Sequence, residues 1–195
     1  MTHNIGEEIA GAYLKEIKNC DFVDYNIYTK DVQGEIDVIG VDTIGKKVYI
    51  CEVAIHLATG LQYTNPKTKR PDNTERLIKK FEKDFDYAKK RFDKRYKKIF
   101  MLWSPIVKDQ KIGTMYNQLE SVVKVKEHLK NKHSIDLELM INEKFQECLN
   151  NLRSYSEKKS EELKTPILRL MQIEEKLKKH LIRNNKKIIK GNLPI

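Results

Sequence analysis

The sequence predicts an α/β protein with a mixed β-sheet, followed by a helical C-terminal region. Over residues 5–103 the hydrophobic patterns follow the order helix, strand, strand, strand, helix, strand. Residues 99–103 are apolar at every position and follow a long amphipathic helix, which is typical of a buried strand paired in parallel after a crossover. The three earlier strands are separated by short connections, which predicts an antiparallel meander.

The first helix is predicted over residues 5–18, with Asn4 as its N-terminal cap. Glu7 and Glu8 fall in its first turn, where the positive end of the helix dipole favours a carboxylate. Apolar residues at helical spacing are expected to face the core, namely Ile5, Ile9, Tyr13 and Ile17. Residues 22–30 then alternate apolar and polar positions and predict the first strand.

Each of the next two predicted strands, residues 34–40 and 47–56, carries one carboxylate. Asp37 lies in the first and Glu52 in the second, and an acid in a buried strand is costly unless it is paired or binds a cation. Antiparallel pairing can bring the two carboxylates together, where they would repel each other unless a divalent ion lay between them. The pair therefore predicts a metal site.

Residues 56–76 show no periodicity and contain the basic run Lys-Thr-Lys-Arg. A flexible basic loop that follows Glu52 so closely can clamp phosphates, while polar side chains reach sugar or base edges. A basic run in a loop is also commonly just solvated, and the sequence leaves both interpretations open. The residues expected to contact nucleic acid are Gln62, Tyr63, Lys67, Lys69 and Arg70, with Lys79 and Lys80 on the next helix.

The second helix is predicted to start at Asp72, with Glu75 at capping-box spacing from it. One apolar stripe marks the side that faces the core, and lysines occupy the other faces. The stripe consists of Leu77, Phe81, Phe85, Ala88 and Phe92. We interpret these aromatic residues as core rather than as stacking platforms for bases.

Further patterns predict a helix over residues 115–130, a strand over 134–141, a helix over 142–155 and a last helix beginning at Pro166. We therefore divide the chain into an α/β core of residues 1–141 and a helical extension of residues 142–195, packed on or beside it. Residues 176–190 contain seven Lys or Arg residues and no acid. This basic end can lie along a nucleic-acid backbone or be a solvated helix end.

Composition favours a soluble intracellular protein with an anionic partner. The chain has 195 residues, of which 39% are hydrophobic, enough for a substantial core. Its net charge of +10 favours nucleic acid, although a generally lysine-rich proteome would produce the same excess. Three cysteines without paired spacing indicate a reducing cytoplasm, and no apolar run approaches membrane-spanning length.

Three motifs together resemble the PD-(D/E)xK nuclease superfamily, whose members share the restriction-endonuclease-like fold. GEID at residues 34–37 and ICEV at 50–53 are similar to the small resolvase-like bacterial members, which have GEID and then an apolar run ending in EVK. GEEIAGAYL at residues 6–14 matches their first-helix pattern G-E-x-x-A-x-x-Y-L at every specified position. The resemblance covers residues 5–103. It departs from the family at Ala54, which stands where the motif has its lysine.

The resemblance implies that residues 1–141 are a nuclease-like core of restriction-endonuclease-like αβββαβ order with a catalytic metal site. Asp37 and Glu52 would bind Mg²⁺ (or Mn²⁺), with a backbone carbonyl and waters completing the coordination. Glu7 is the further ligand and catalytic candidate, because the glutamate directly after the glycine approaches the metal in the family; Glu8 is the alternative. Such an ion polarises the scissile phosphate and lowers the pKa of the attacking water.

In the family the motif lysine positions that water and stabilises the charge of the transition state. With Ala54 in its place, another cation can substitute. One candidate is His56, which strand alternation would place on the same face as Glu52. Lys79 and Lys80 of the second helix are the others. Alternatively, the metal acts without a lysine, or the domain binds nucleic acid without cutting it.

The function expected from the resemblance is that of a Mg²⁺-dependent endonuclease that hydrolyses double-stranded or branched DNA, with a restriction endonuclease as one form of such an enzyme. Because family members often act as dimers to cut two strands, a homodimer is also expected. The competing interpretation is a non-catalytic DNA-binding or repair accessory module. An RNA-directed nuclease is a third, because charge does not distinguish DNA from RNA.

Overall fold

The structure is a computed structural model that describes residues 4–28, 35–114 and 116–189, with the backbone alone for residues 185–189. The predicted end of the first strand and the turn at residue 34 lie outside these ranges, as do residue 115 and the last basic residue, Lys190. The elements are α1 (Ile5–Glu16), β1 (Phe22–Tyr28), β2 (Glu35–Asp42), β3 (Lys47–Val53), α2 (Asn73–Arg91), β4 (Lys97–Ser104), α3 (Gln118–His133), β5 (Glu138–Ile141), α4 (Asn142–Lys158) and α5 (Pro166–Ile189).

The five strands form one sheet in the order β1-β2-β3-β4-β5. β1, β2 and β3 pair antiparallel as a meander, whereas β3 pairs in parallel with β4, and β4 in parallel with β5. α2 and α3 lie in the two crossover connections, which parallel strands require because the chain must return to the same edge of the sheet. The predicted α/β class with a mixed sheet is confirmed, and the first six elements follow the predicted order.

Strand alternation divides the core into two clusters, one on each face of the sheet. Cys51 and Val53 of β3 lie in the α1-side cluster, to which α1, α4 and α5 contribute. Ile50 of β3 and Ala54 just after it lie in the α2-side cluster, which contains residues of α2 and α3. Burial on both faces explains why β3 is apolar at nearly every position. Because Glu52 alternates with Cys51 and Val53, its side chain points to the α2 side.

The C-terminal helices cover the α1 side of the sheet. Phe145 of α4 and Leu168 of α5 lie in the α1-side cluster, and Trp103 of β4 meets Phe145 edge to face at 6.1 Å between ring centroids. α5 begins at Pro166, a position where the missing N–H has no helical partner to lose. From residue 176 to 183 every side chain of α5 is exposed. None of the helices in the described ranges has the length and apolar content needed to cross a membrane.

α1 begins as predicted, with the Asn4 side chain accepting hydrogen bonds from the backbone of Gly6 and Glu7. Ile9 and Tyr13 are buried as expected. Ile5, for which the helical spacing predicts a core position, is 54% exposed, because it is the first residue of the helix and has no preceding turn beside it. The capping box predicted for α2 does not form: its N-cap Asp72 makes no side-chain cap hydrogen bond.

The predicted boundaries that differ from the structure include those of β3, α3 and β5. β3 ends at Val53, before the predicted end at residue 56, because the chain then turns and Gly60 N–H donates to the His56 carbonyl at 2.9 Å. α3 starts at Gln118 because Asn117 caps it, accepting from Glu120 N–H at 2.9 Å. β5 spans only Glu138–Ile141, the residues that pair with β4.

Candidate active site

The two strand carboxylates lie where β2 and β3 stop pairing. The register pairs Val38 with Cys51, so that the next opposite positions are those of Asp37 and Glu52. Asp37 Oδ2 accepts a hydrogen bond from Val53 N–H at 2.6 Å. The Asp37 carboxylate therefore accepts from the β3 amide that directly follows Glu52 in the chain. The structure thus brings the two predicted acids together.

Glu52 is 1% exposed and contacts two donors from outside its strand. Its Oε1 accepts a hydrogen bond from the Tyr63 hydroxyl at 3.1 Å and forms an ion pair with Lys80 Nζ. Its Oε2 is buried without a hydrogen-bond partner. Of the cations that are candidates for the place of the motif lysine, Lys80 is thus the one that touches Glu52.

Burial perturbs both acids, and the charge of Glu52 adds to the effect on Asp37. Burial, followed by the charge of Glu52, raises the pKa of Asp37 from 3.8 to about 7, although Lys80 and Val53 N–H oppose the rise. Burial also raises the pKa of Glu52 above its usual value, against the effect of Lys80 and Tyr63. Burial alone would lower the pKa of Lys80, but the attraction of Glu52 and Asp37 outweighs it and the pKa is raised. Lys80 therefore stays charged between two destabilised carboxylates.

Tyr63 reaches Glu52 because Asn73, the first residue of α2, holds the loop that carries it. The Asn73 side chain accepts from Tyr63 N–H at 2.7 Å and donates to the Leu61 carbonyl at 3.0 Å. Burial and the charge of Glu52 raise the pKa of Tyr63, so that its hydroxyl remains a donor. Lys80 Nζ also lies 5.4 Å from the centroid of the Tyr63 ring, within cation–π distance.

Asp84 is a third acid of this region, and the sequence motifs do not point to it. It lies one turn after Lys80 on α2, is 4% exposed, and its Oδ2 has no hydrogen-bond partner. Burial first, and the charge of Glu52 second, raise its pKa well above the ordinary value. Its spacing is the available signal: the buried positions of α2 include Leu77, Phe81, Asp84 and Ala88, so that an acid occupies the core-facing stripe.

A cleft of about 690 Å³ opens beside these residues, between the start of β2, the basic loop and α2. Its cationic lining residues are Lys67, Arg76, Lys79, Lys80 and Lys83. Its acidic lining residues are Glu35, Asp37, Asp72, Glu75 and Asp84. The half-buried Asp37 and the buried Asp84 thus share one cleft with five cationic side chains, a combination that can hold a cation and a phosphate together.

The basic loop is a hairpin-like turn rather than an irregular segment. Thr64 bridges to Pro71, and Asn65 exchanges backbone hydrogen bonds of 2.9 Å with Lys69 and Arg70. Lys67 lines the cleft, whereas Lys69 and Arg70 are exposed outside its lining. Gln62 is half-buried and also lies outside the lining, and Tyr63 is half-buried with its hydroxyl donating to Glu52.

His56 lies apart from the cleft. The strand alternation that predicts its position on the face of Glu52 does not extend that far, because β3 ends at Val53. The side chain of His56 is exposed in the turn after the strand and is outside the cleft lining. The geometry therefore gives His56 no contact with Asp37 or Glu52.

Glu7 has a structural role at the start of α1. Its carboxylate completes the capping box with Asn4 and accepts a hydrogen bond from the Asn26 side chain at 3.2 Å. It is 6% exposed, and its charge contributes to the raised pKa of Asp37. Glu7 is therefore close enough to act on Asp37 electrostatically, while its own oxygens are held by asparagine side chains.

The donor set at this site fits Mg²⁺. This ion binds oxygen and commonly takes only one or two protein carboxylates, leaving positions for water and substrate phosphate. Asp37 and Glu52 supply two such groups, and the partnerless Glu52 Oε2 is a buried oxygen that a cation would satisfy. Within the described residues no group of three or more His, Cys, Asp or Glu side chains is placed so that it could hold a metal. Glu7 thus does not complete a three-ligand site.

No family model, curated protein or solved structure matches the chain. The resemblance to the PD-(D/E)xK nucleases therefore depends on the sequence motifs, and the interpretation of the site depends on its own geometry.

Proposed function

We propose that this chain is a Mg²⁺-dependent endonuclease that hydrolyses phosphodiester bonds of double-stranded or branched DNA, as restriction endonucleases do. One observation carries the proposal: Lys80 of α2 forms an ion pair with Glu52, although the strand position of the motif lysine is occupied by Ala54. The Lys80 ammonium therefore meets Glu52 beside the cleft that Asp37 and Lys80 line, without the third motif residue. These are the group types that metal-assisted phosphodiester hydrolysis uses.

When bound, the metal would polarise the scissile phosphate and activate water for attack. Asp37 and Glu52 would hold it. Lys80 would remain charged in the cleft and stabilise negative charge that develops on the phosphate, since its pKa is raised by Glu52 and Asp37. Tyr63 keeps Glu52 oriented by donating to Oε1.

The cationic lining supports an anionic polymer as the substrate. Lys67 enters the cleft from the hairpin-like loop, and Arg76, Lys79 and Lys83 enter it from α2. Such side chains contact phosphates without reading sequence, so they position a strand and do not specify a target. The three cysteines, Cys20, Cys51 and Cys148, are buried free thiols, which supports the cytoplasm as the compartment.

The second candidate function is a non-catalytic nucleic-acid-binding module. The observation in its favour is the ion pair between Lys80 and Glu52. If Glu52 is only a remnant of a former metal site, it is a buried carboxylate that still needs a positive partner, and Lys80 supplies one. This alternative differs from the first in one respect: it binds nucleic acid but never cuts it.

The test is incubation of the pure protein with supercoiled plasmid, single-stranded DNA and RNA, with Mg²⁺, Mn²⁺ or EDTA. We expect nicking or linearisation of the plasmid with either metal and none with EDTA. Glu52→Gln keeps the volume of the side chain and should abolish cutting, whereas Asp86→Asn, an exposed acid of the same helix as Lys80, should cut at the wild-type rate. Binding of DNA without cutting under every metal condition would support the non-catalytic module. Cutting of RNA alone would replace the DNA assignment.

A further inference from the structure

We propose that Asp84 is a positioning residue for Lys80. When Glu52 binds a divalent cation, the Lys80 ammonium leaves Glu52 and forms an ion pair with Asp84 instead. The proposal rests on the proposed function, because it requires a cation at Glu52. It assigns a role to a buried carboxylate that the proposed reaction does not use. Without such a role, Asp84 would be a costly acid in the core-facing stripe of α2.

The first step is a competition at Glu52. The Lys80 ammonium contacts Oε1, so it already supplies the positive charge that this buried carboxylate needs. A divalent ion bound to the same carboxylate would lie close to the ammonium. The two positive charges would repel each other strongly, because the surroundings of buried Glu52 screen charges less than bulk water does. Lys80 must therefore move from its present position or lose its charge when the ion binds.

The second step is the acceptor for the displaced ammonium. Asp84 lies four residues after Lys80, so the two side chains are neighbours on one face of α2, and both line the cleft. Asp84 is 4% exposed and its Oδ2 lacks a hydrogen-bond partner. An ammonium has three N–H donors, so it can satisfy this oxygen without leaving the cleft. The electrostatic environment of Asp84 also shows that Lys80 is within reach. The negative charges of Glu52 and Asp37 raise the pKa of Asp84, whereas the positive charges of Lys80 and Lys83 lower it.

The third step is that the change is confined to one side chain. α2 is anchored by Leu77, Phe81 and Ala88, none of which has any exposed surface. The helix therefore stays in place, while the four-carbon stem of Lys80 can rotate. The Tyr63 ring, whose centroid is 5.4 Å from Nζ, provides a surface for that stem.

The test is a double-mutant cycle on Mn²⁺ binding, measured without DNA from the electron paramagnetic resonance signal of the free ion. The four proteins are wild type, Asp84→Asn, Lys80→Met and the double variant. Asparagine has the size of aspartate but cannot hold an ammonium by charge. Asp86→Asn is the matched control, because it makes the same substitution at an exposed position of α2.

We expect Asp84→Asn to weaken Mn²⁺ binding about tenfold in the wild-type background, which is about 1.4 kcal/mol. Lys80→Met should bind Mn²⁺ more tightly than wild type, since no ammonium competes for Glu52. On the Lys80→Met background, Asp84→Asn should change the affinity less than twofold, because there is no ammonium left to receive. Asp86→Asn should match wild type. If Asp84→Asn is poorly folded, Asp84→Ser replaces it in the cycle and should show the same tenfold loss of Mn²⁺ affinity.

Two results would overturn the role of Asp84. An equal loss in both backgrounds would mean that Asp84 acts on the ion directly, and no loss in either would mean that it does not take part. Failure of the proposed function has a different pattern: wild type would bind no Mn²⁺, or Glu52→Gln would bind it as tightly as wild type does. In that case the takeover by Asp84 fails with it.

Discussion

Asp37 offers the sharpest test of the site, because its cost to stability depends on both pH and metal. The folded protein raises the pKa of this carboxyl from 3.8 to about 7, so the folded state holds the proton more tightly than the unfolded chain does. Below pH 3.8 the group is protonated in both states and costs nothing. As the pH rises towards 7 the cost grows, and above 7 it is complete.

The size of the effect follows from the pKa values. At 1.36 kcal/mol per pKa unit, ionised Asp37 destabilises the fold by about 4 kcal/mol at pH 8.5, and by about 2 kcal/mol at pH 5. Asp37→Asn removes the charge and keeps an oxygen to accept the Val53 N–H. We therefore expect this variant to be more stable than wild type, with a gain at pH 8.5 roughly twice that at pH 5.

The assay is urea unfolding of both proteins at pH 5 and pH 8.5, first in EDTA and then in excess Mg²⁺. Mg²⁺ should stabilise wild type at pH 8.5, because it binds the folded state and offsets the repulsion between the acids, and should have little effect on Asp37→Asn. Asp86→Asn controls for a general loss of negative charge. A gain of the same size at both pH values, or a variant less stable than wild type at pH 8.5, would refute the reasoning.

The remaining predictions concern the lysines, the tyrosine and the loop. Lys80→Met should lower the rate of DNA cleavage by about 10²–10³, the usual effect of losing one group that stabilises transition-state charge, whereas Lys79→Met, which lines the cleft without an ion pair to Glu52, should lose less than tenfold. Equal losses in a plasmid-nicking assay would contradict this assignment. Tyr63→Phe removes a donor to buried Glu52 and should cost about 1–3 kcal/mol of unfolding free energy; an unchanged urea midpoint would show that the hydrogen bond adds nothing. Reversing the loop charges should weaken binding to unrelated DNA sequences alike and reduce the slope of log affinity against log salt by about 1 for each phosphate that the loop no longer neutralises, and unchanged affinity in a fluorescence-anisotropy titration would exclude the loop from the interface. The charges to reverse are those of Lys67, Lys69 and Arg70.

The sequence is sufficient for the sheet and the strand acids because their signals are local. An alternating or continuous apolar run predicts a strand, and the two-residue period of a strand then determines which side chains share a face. The opposite positions of Asp37 and Glu52 follow from a short turn between two such runs. The end of β3 is not a local property, because it depends on where β4 stops offering partners and the chain turns away. The strand alternation that predicts His56 on the same face as Glu52 therefore does not extend to residue 56.

The helical part of the site is harder to predict because helix phase drifts along nineteen residues. A stripe drawn through Leu77, Phe81 and Phe85 follows steps of four, whereas the buried positions continue with a step of three to Asp84. Phe85, which the steps of four select, is half-buried, whereas the preceding residue Asp84 is buried. The same uncertainty in helix phase makes Lys79 and Lys80 equivalent candidates in the sequence. Of these two lysines, Lys80 is the one that forms an ion pair with Glu52.

The packing around residue 54 gives a physical reason for an ammonium that comes from α2 instead of β3. Ala54 is 3% exposed and lies in the α2-side cluster with Leu61, Leu77 and Phe81, all of which are fully buried. A lysine stem at this position would have to displace part of that cluster, and overpacking a core costs typically about 1–3 kcal/mol. Lys80 approaches Glu52 from the open cleft, so its stem needs no space in the core and its charge remains near water. The helix can therefore supply the charge at Glu52 while Ala54 keeps the core closed beneath it.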